Sequence, residues 1–65
     1  MDSRAVIRAL LDAGWKLKGS RGSHHQFYHR ERPGKVTLQH PRKDIPIGTL
    51  KSIELQSGLR LVGKK

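Results

Sequence analysis

The sequence predicts an α+β fold in which a helix, three antiparallel strands and a second helix follow one another. Two apolar stripes at helical spacing, over residues 3–13 and 46–57, each run into a glycine followed by an apolar residue. Between them lie three stretches that alternate apolar and polar side chains, separated by segments rich in turn-forming residues. Two helices packed on one face of a three-stranded sheet leave the other face open to a ligand.

Residues 3–13 place Val6, Leu10 and Ala13 at helical spacing. Ile7 and Leu11 widen the stripe, and Arg4, Arg8 and Asp12 fall on the other side. Asp2 or Ser3 caps the start, and Gly14 suits the left-handed position that ends a helix, with Trp15 beyond it. Trp15 to Lys18 alternates as a half-buried strand, and Gly19 to Ser23 reads as a loop of small residues. His24 to Arg30 reads as a second strand. It has His24, Gln26, Tyr28 and Arg30 on one face and His25, Phe27 and His29 on the other. Pro33-Gly34 signals a turn. Lys35 to His40 then forms a third strand with Val36, Leu38 and His40 on one face, stopped by Pro41. Pro46 fits the first turn of a helix reaching Ser57, with Ile47, Leu50 and Ile53 as its apolar line, Leu55 beside it, and Gly58-Leu59 closing it. Residues 60–65 show no pattern and read as a mobile basic tail, a short strand or a non-native remnant. The expected core is Val6, Ile7, Leu10, Trp15, Leu17, Phe27, Val36, Leu38, Leu50, Ile53 and Leu59, a modest one for a single domain spanning residues 1–65.

Fourteen Lys and Arg against five Asp and Glu give a formal net charge of +9, a balance that points to nucleic acid, an anionic membrane or an acidic protein. The charge is concentrated. Lys16, Lys18, Arg21, Arg30, Arg32, Lys35, Arg42 and Lys43 share the middle of the chain with all four histidines, and Glu31 is the one acid between Lys16 and Lys43. Neither helix sets a broad apolar face against a basic one, which argues against a membrane surface. No apolar run is long enough to span a bilayer. The absence of cysteine and of a signal-peptide pattern fits a cytoplasmic protein.

The run Gly22-Ser23-His24-His25-Gln26-Phe27 carries the chemistry. It sets a histidine just after a tight turn, at the mouth of a strand, in a strongly basic chain. An unperturbed imidazole titrates at about pH 6.5 and both takes and gives protons near neutrality. RNA carries its own nucleophile: removing the proton of a 2′-OH lets that oxygen attack the adjacent phosphate, with cations stabilising the charge that develops. His24 is the candidate general acid or base. Lys16, Lys18, Arg21 and Arg30 are the candidate phosphate ligands. Ser23 is a further hydrogen-bond donor, and His25 and Tyr28 are further contacts to RNA. The leaving 5′-oxygen needs a second proton carrier, for which His25, Tyr28, His40 and water all remain open. A metal centre is not expected. Neighbouring strand side chains point oppositely and positions four apart lie about 13 Å from each other, so His24, His25 and His29 cannot meet at one ion. No other cofactor is implied.

These pieces together resemble the HicA family of mRNA interferase toxins. The matching segments are the helix closed by Gly14-Trp15, the run Gly22 to Phe27, Val36-Thr37-Leu38-Gln39-His40-Pro41, and Gly48-Thr49-Leu50-Lys51-Ser52-Ile53. They cover residues 3–59. The resemblance implies a fold like that of a double-stranded-RNA-binding domain and the activity of a type II toxin–antitoxin toxin that cleaves mRNA. It also implies a HicB-type antitoxin as partner, and it places the family's catalytic histidine at His24. Some relatives carry that histidine one position later, at His25. The expected partners are mRNA and the antitoxin, with no membrane and no DNA bound by the chain alone. The alternative that the same fold and charge support is a non-catalytic RNA-binding module.

Overall fold

Asp2 has an extended backbone, and its carboxylate accepts the Arg4 N–H at 2.7 Å. That satisfies one of the free donors at a helix start and launches the first helix, α1 (Ser3–Asp12). The computed structural model describes residues 1–62. After α1 come β1 (Lys16–Arg21), β2 (His24–His29), β3 (Arg32–Gln39) and α2 (Ile47–Ser57). The strands form one antiparallel sheet in the order β1-β2-β3. This is the α-β-β-β-α arrangement that the family resemblance implies.

The chain leaves α1 through Gly14 at φ +96°, a conformation that costs other residues dearly. A side chain there would also collide with His29, whose Nε2 would lie 2.9 Å from the added Cβ. The His29 imidazole donates from Nε2 to the Ala13 carbonyl at 3.0 Å and accepts the Glu31 N–H on Nδ1 at 3.0 Å. Its ring meets Trp15 edge-on, 5.3 Å between centroids. His29 therefore ties the end of α1 to the β2–β3 turn.

Both turns differ from the sequence expectation. Gly19, Ser20 and Arg21 belong to β1, and the first hairpin turns on Gly22-Ser23 alone, between the paired residues Arg21 and His24. Pro33-Gly34 lies inside β3; the second hairpin turns on Arg30-Glu31, between His29 and Arg32. The surplus residues are taken up by bulges, one at Lys18 in β1 and one at Pro33 to Lys35 in β3. Proline is tolerated there because β3 is an edge strand and loses no internal ladder bond.

Val6 and Leu10 of α1, Leu50 and Ile53 of α2, and Trp15, Phe27, Val36 and Leu38 pack into one core with Ile45 and Leu61. Ile7 and Leu59 pack against it partly buried. Leu17, an expected core residue, is 50% exposed. It lies on an edge strand exposed along its whole length, next to the Lys18 bulge, and Trp15 fills the interior in its place. Pro46 sits just before α2 rather than in its first turn. Ile47 is consequently exposed, and Ile45 takes the buried position before the helix. Arg60 to Val62 are not a mobile tail: Leu61 is 3% exposed. The Glu54 carboxylate accepts the N–H of Leu61 and, at 2.6 Å, that of Val62. Residues 63–65 of the expected tail lie outside the described residues.

A polar junction under the first hairpin joins three elements. Ser3 is fully buried, and its Oγ accepts the Arg42 N–H at 2.9 Å and shares a hydrogen with His40 Nδ1 at 2.7 Å. The Ser3 N–H donates to the Arg42 carbonyl at 2.8 Å. The His40 N–H in turn donates to the Ser23 carbonyl at 2.7 Å, and His25 Nδ1 donates to the same oxygen at 3.3 Å. The His25 and His40 rings meet edge-on at 5.2 Å.

Two outcomes follow from these contacts. Ser3→Ala leaves His40 and the Arg42 N–H without their partner in a partly buried setting, a cost of about 1 kcal/mol, the low end of the range for an orphaned group. Urea denaturation should show that loss as a lower midpoint with an unchanged slope. The Val62 N–H, then the Leu61 N–H, holds the Glu54 carboxyl below the ordinary glutamate value. Because the folded pKa is depressed, this stabilisation is complete above the unfolded value of about 4.3. It disappears as the pH falls through the lower folded one. Amide-exchange protection at Leu61 and Val62 should therefore fall on acidification in the wild type and be flat with pH in Glu54→Gln.

Candidate active site on the open sheet face

The first hairpin positions the site. Gly22 has φ +60° and Ser23 does not have a positive φ, the combination of a two-residue turn that demands glycine first and matches the twist of paired strands. His24 is thereby the first residue of the central strand. Side chains alternate along a strand, so His25 and Phe27 face the helices and His24, Gln26 and Tyr28 face out. Cross-strand partners extend this outer face. Arg21 and Gln39 flank His24, Gly19 and Thr37 flank Gln26, and Lys16 lies opposite Tyr28.

An open groove of about 610 Å³ runs along this face, bordered by Lys18, Arg21, His24, Gln26 and Thr37. His24 is exposed at its edge. Lys18 and Arg21 bring two cations to the same space, and Gln26 and Thr37 bring neutral hydrogen-bonding groups. The Arg42 guanidinium donates to Gln39 Oε1 at 2.8 Å, which sets a third cation beside the partner of His24. The arrangement combines a proton carrier open to solvent with positive charge on either side.

The expected site residues separate into groups. Lys18, Arg21 and His24 meet in the groove, and Ser23 is in the turn next to it. Lys16 and Tyr28 share the outer face farther along. Arg30 lies in the opposite turn, at the far end of β2. His25 is on the helix side of the sheet, in the junction with His40, and His40 is bound to Ser3. Among the described residues no three histidine, aspartate or glutamate side chains gather as a metal site. Sequence reasoning did not single out Thr37, Gln39 or Arg42. The alternation of β3 already assigns Thr37 and Gln39 to the outer face, but their neighbours depend on a register that a turn at Pro33-Gly34 misplaces.

Among the described residues no helix is long and apolar enough to cross a membrane. None of the curated proteins matches the chain. Among solved structures, the chain is similar to one in a "HicA3 and HicB3 toxin-antitoxin complex". It is 37% identical to it, with a TM-score of 0.86 over 94% of this chain and 98% of that one. The family described as the HicA toxin of bacterial toxin–antitoxin systems matches residues 3–59, the span over which the helices, the sheet and the His24 groove are built. A match over that much of the chain, with the fold to go with it, means that the protein belongs to the HicA toxin family.

Proposed function

We propose that the toxin is an endoribonuclease that cleaves mRNA in the cytoplasm, residues 1–65 acting as one domain. The observation that carries the reading is the solvent-open imidazole of His24 at the edge of a groove bordered by Lys18 and Arg21. His24 takes the proton of a ribose 2′-OH. The freed oxygen bonds to the adjacent phosphorus, and the bond to the 5′-oxygen breaks. A 2′,3′-cyclic phosphate forms and the leaving oxygen receives a proton from water or a second donor. Lys18 and Arg21 stabilise the charge that builds on the phosphoryl oxygens, with Arg42 at the rim. The Ser23 hydroxyl adds a donor beside the turn. This route draws its nucleophile from the substrate and calls for no metal ion.

A HicB-type antitoxin is the proposed partner. The family supports it, and so does the similar chain's presence in a complex of that kind. A chain of net charge +9 attracts an acidic protein, and one that covers the outer sheet face removes His24 from the RNA.

His24→Ala should lower cleavage by about 10²–10⁴-fold, the range of a positioned acid or base, and leave RNA affinity close to that of the wild type. Cleavage by the wild type should persist in EDTA, and an all-deoxy copy of the substrate, lacking the 2′-OH, should stay intact. Equal cleavage by His24→Ala would remove that residue from the mechanism. Tight RNA binding by a wild type that cuts nothing would instead identify a non-catalytic RNA-binding module.

A further inference from the structure

The open sheet face carries a second feature beyond the His24 groove. Tyr28 is 43% exposed on this face, and with Lys18 and the edge-strand residue Leu17, which pairs with Phe27, it borders a shallow recess of about 450 Å³. Lys18 also borders the groove that holds His24. It is the extra residue of the β1 bulge, and bulges commonly re-aim a side chain near a functional site. The recess and the groove are thus adjoining compartments that share one lysine. Tyr28 lies four residues from His24 on the same face of the same strand, about 13 Å away. Its cross-strand partner is Lys16, so the apolar surface has a cation on either side.

We propose that Tyr28 forms a shelf for a nucleobase of single-stranded RNA whose backbone runs on to the groove at His24. The inference rests on the nuclease reading for what occupies the groove. An aromatic face between lysines matches the chemistry of a nucleotide, which presents a flat apolar base and an anionic phosphate together. A purely apolar protein segment would leave both lysines without a counter-charge. The shelf also selects among RNAs. In a duplex each base is stacked on its neighbours and its faces are covered, whereas an unpaired base can be laid on a side chain. The toxin therefore acts on unpaired RNA, although its fold resembles that of a domain that binds duplexes.

The test compares wild type, Tyr28→Ala and Tyr28→Phe on a short fluorescent RNA. Affinity is read by anisotropy and cleavage in the same samples, and circular dichroism confirms folding. Tyr28→Ala should weaken binding of the single strand by about 5–150-fold, the range for loss of one stacked base. Tyr28→Phe should keep wild-type affinity. Scanning an abasic position along the RNA should reveal one site at which Tyr28→Ala makes no further difference. The proposal fails if Tyr28→Ala binds the single strand like wild type, if no abasic position abolishes its effect, or if a fully paired duplex binds equally well. It also fails if the substitution weakens only antitoxin binding, which would mark a protein-docking surface. A wild type that bound RNA through Tyr28 and did not cut it would sink the nuclease reading and leave the shelf standing.

Discussion

The hydrogen bond from the His40 N–H to the Ser23 carbonyl holds the start of β2 in register with the end of β3. Side chains alternate with a period of two residues, so a slip of one position would send His24 into the apolar interior and bring Phe27 into solvent. That slip is resisted from three sides. Gly22-Ser23 closes the hairpin with β1, His40 is bound through Nδ1 to Ser3, and Ser3 is held by both backbone groups of Arg42. The junction sits on the helix face of the sheet and positions a side chain on the opposite face. His25 and His40 thus act on the site through the backbone, which explains why neither of them lines its groove.

One sheet divides two chemistries. Its inner face buries Phe27, Val36 and Leu38 against both helices, and its outer face presents His24, Gln26, Thr37 and the basic residues of β1. The core is small, and a net charge of +9 adds self-repulsion to a domain of modest stability. The C-terminal segment offsets part of that by adding Leu61 to the core. Glu54, one of the five acids of the chain, is used to hold that segment rather than to neutralise the basic face. The outer face keeps its positive charge.

Much of this was legible in the residues. The Gly14-Trp15 helix end, the two helices and the face assignment of β2 all follow from spacing and from the glycine at a helix end. The turn at Arg30-Glu31 was not legible, because neither residue carries a turn signal and the bend is secured by the Glu31 N–H to His29, a contact between side chain and backbone. Pro33-Gly34 drew the turn because it signals one strongly, yet it serves a bulge. Strands ending at Arg30 and starting at Lys35 would set Gln26 opposite Gln39 instead of its true partner Thr37, a shift of two positions. An even shift preserves which side chains face out, so the site face was legible even though its neighbours were not. Leu17 illustrates the opposite limit. Alternation marks it as buried, but burial on an edge strand depends on how far the helices reach, which no local pattern records.

The bulge at Lys18 links these points. Without it, Lys18 would continue the alternation of Lys16 and Leu17, and the residues beyond it would meet β2 in the other parity. With it, Leu17 stays paired with Phe27 while Gly19 pairs with Gln26. Lys18 is left as the unmatched residue that borders both the His24 groove and the Leu17–Tyr28 recess. A single inserted position therefore leaves one cation shared by the two compartments.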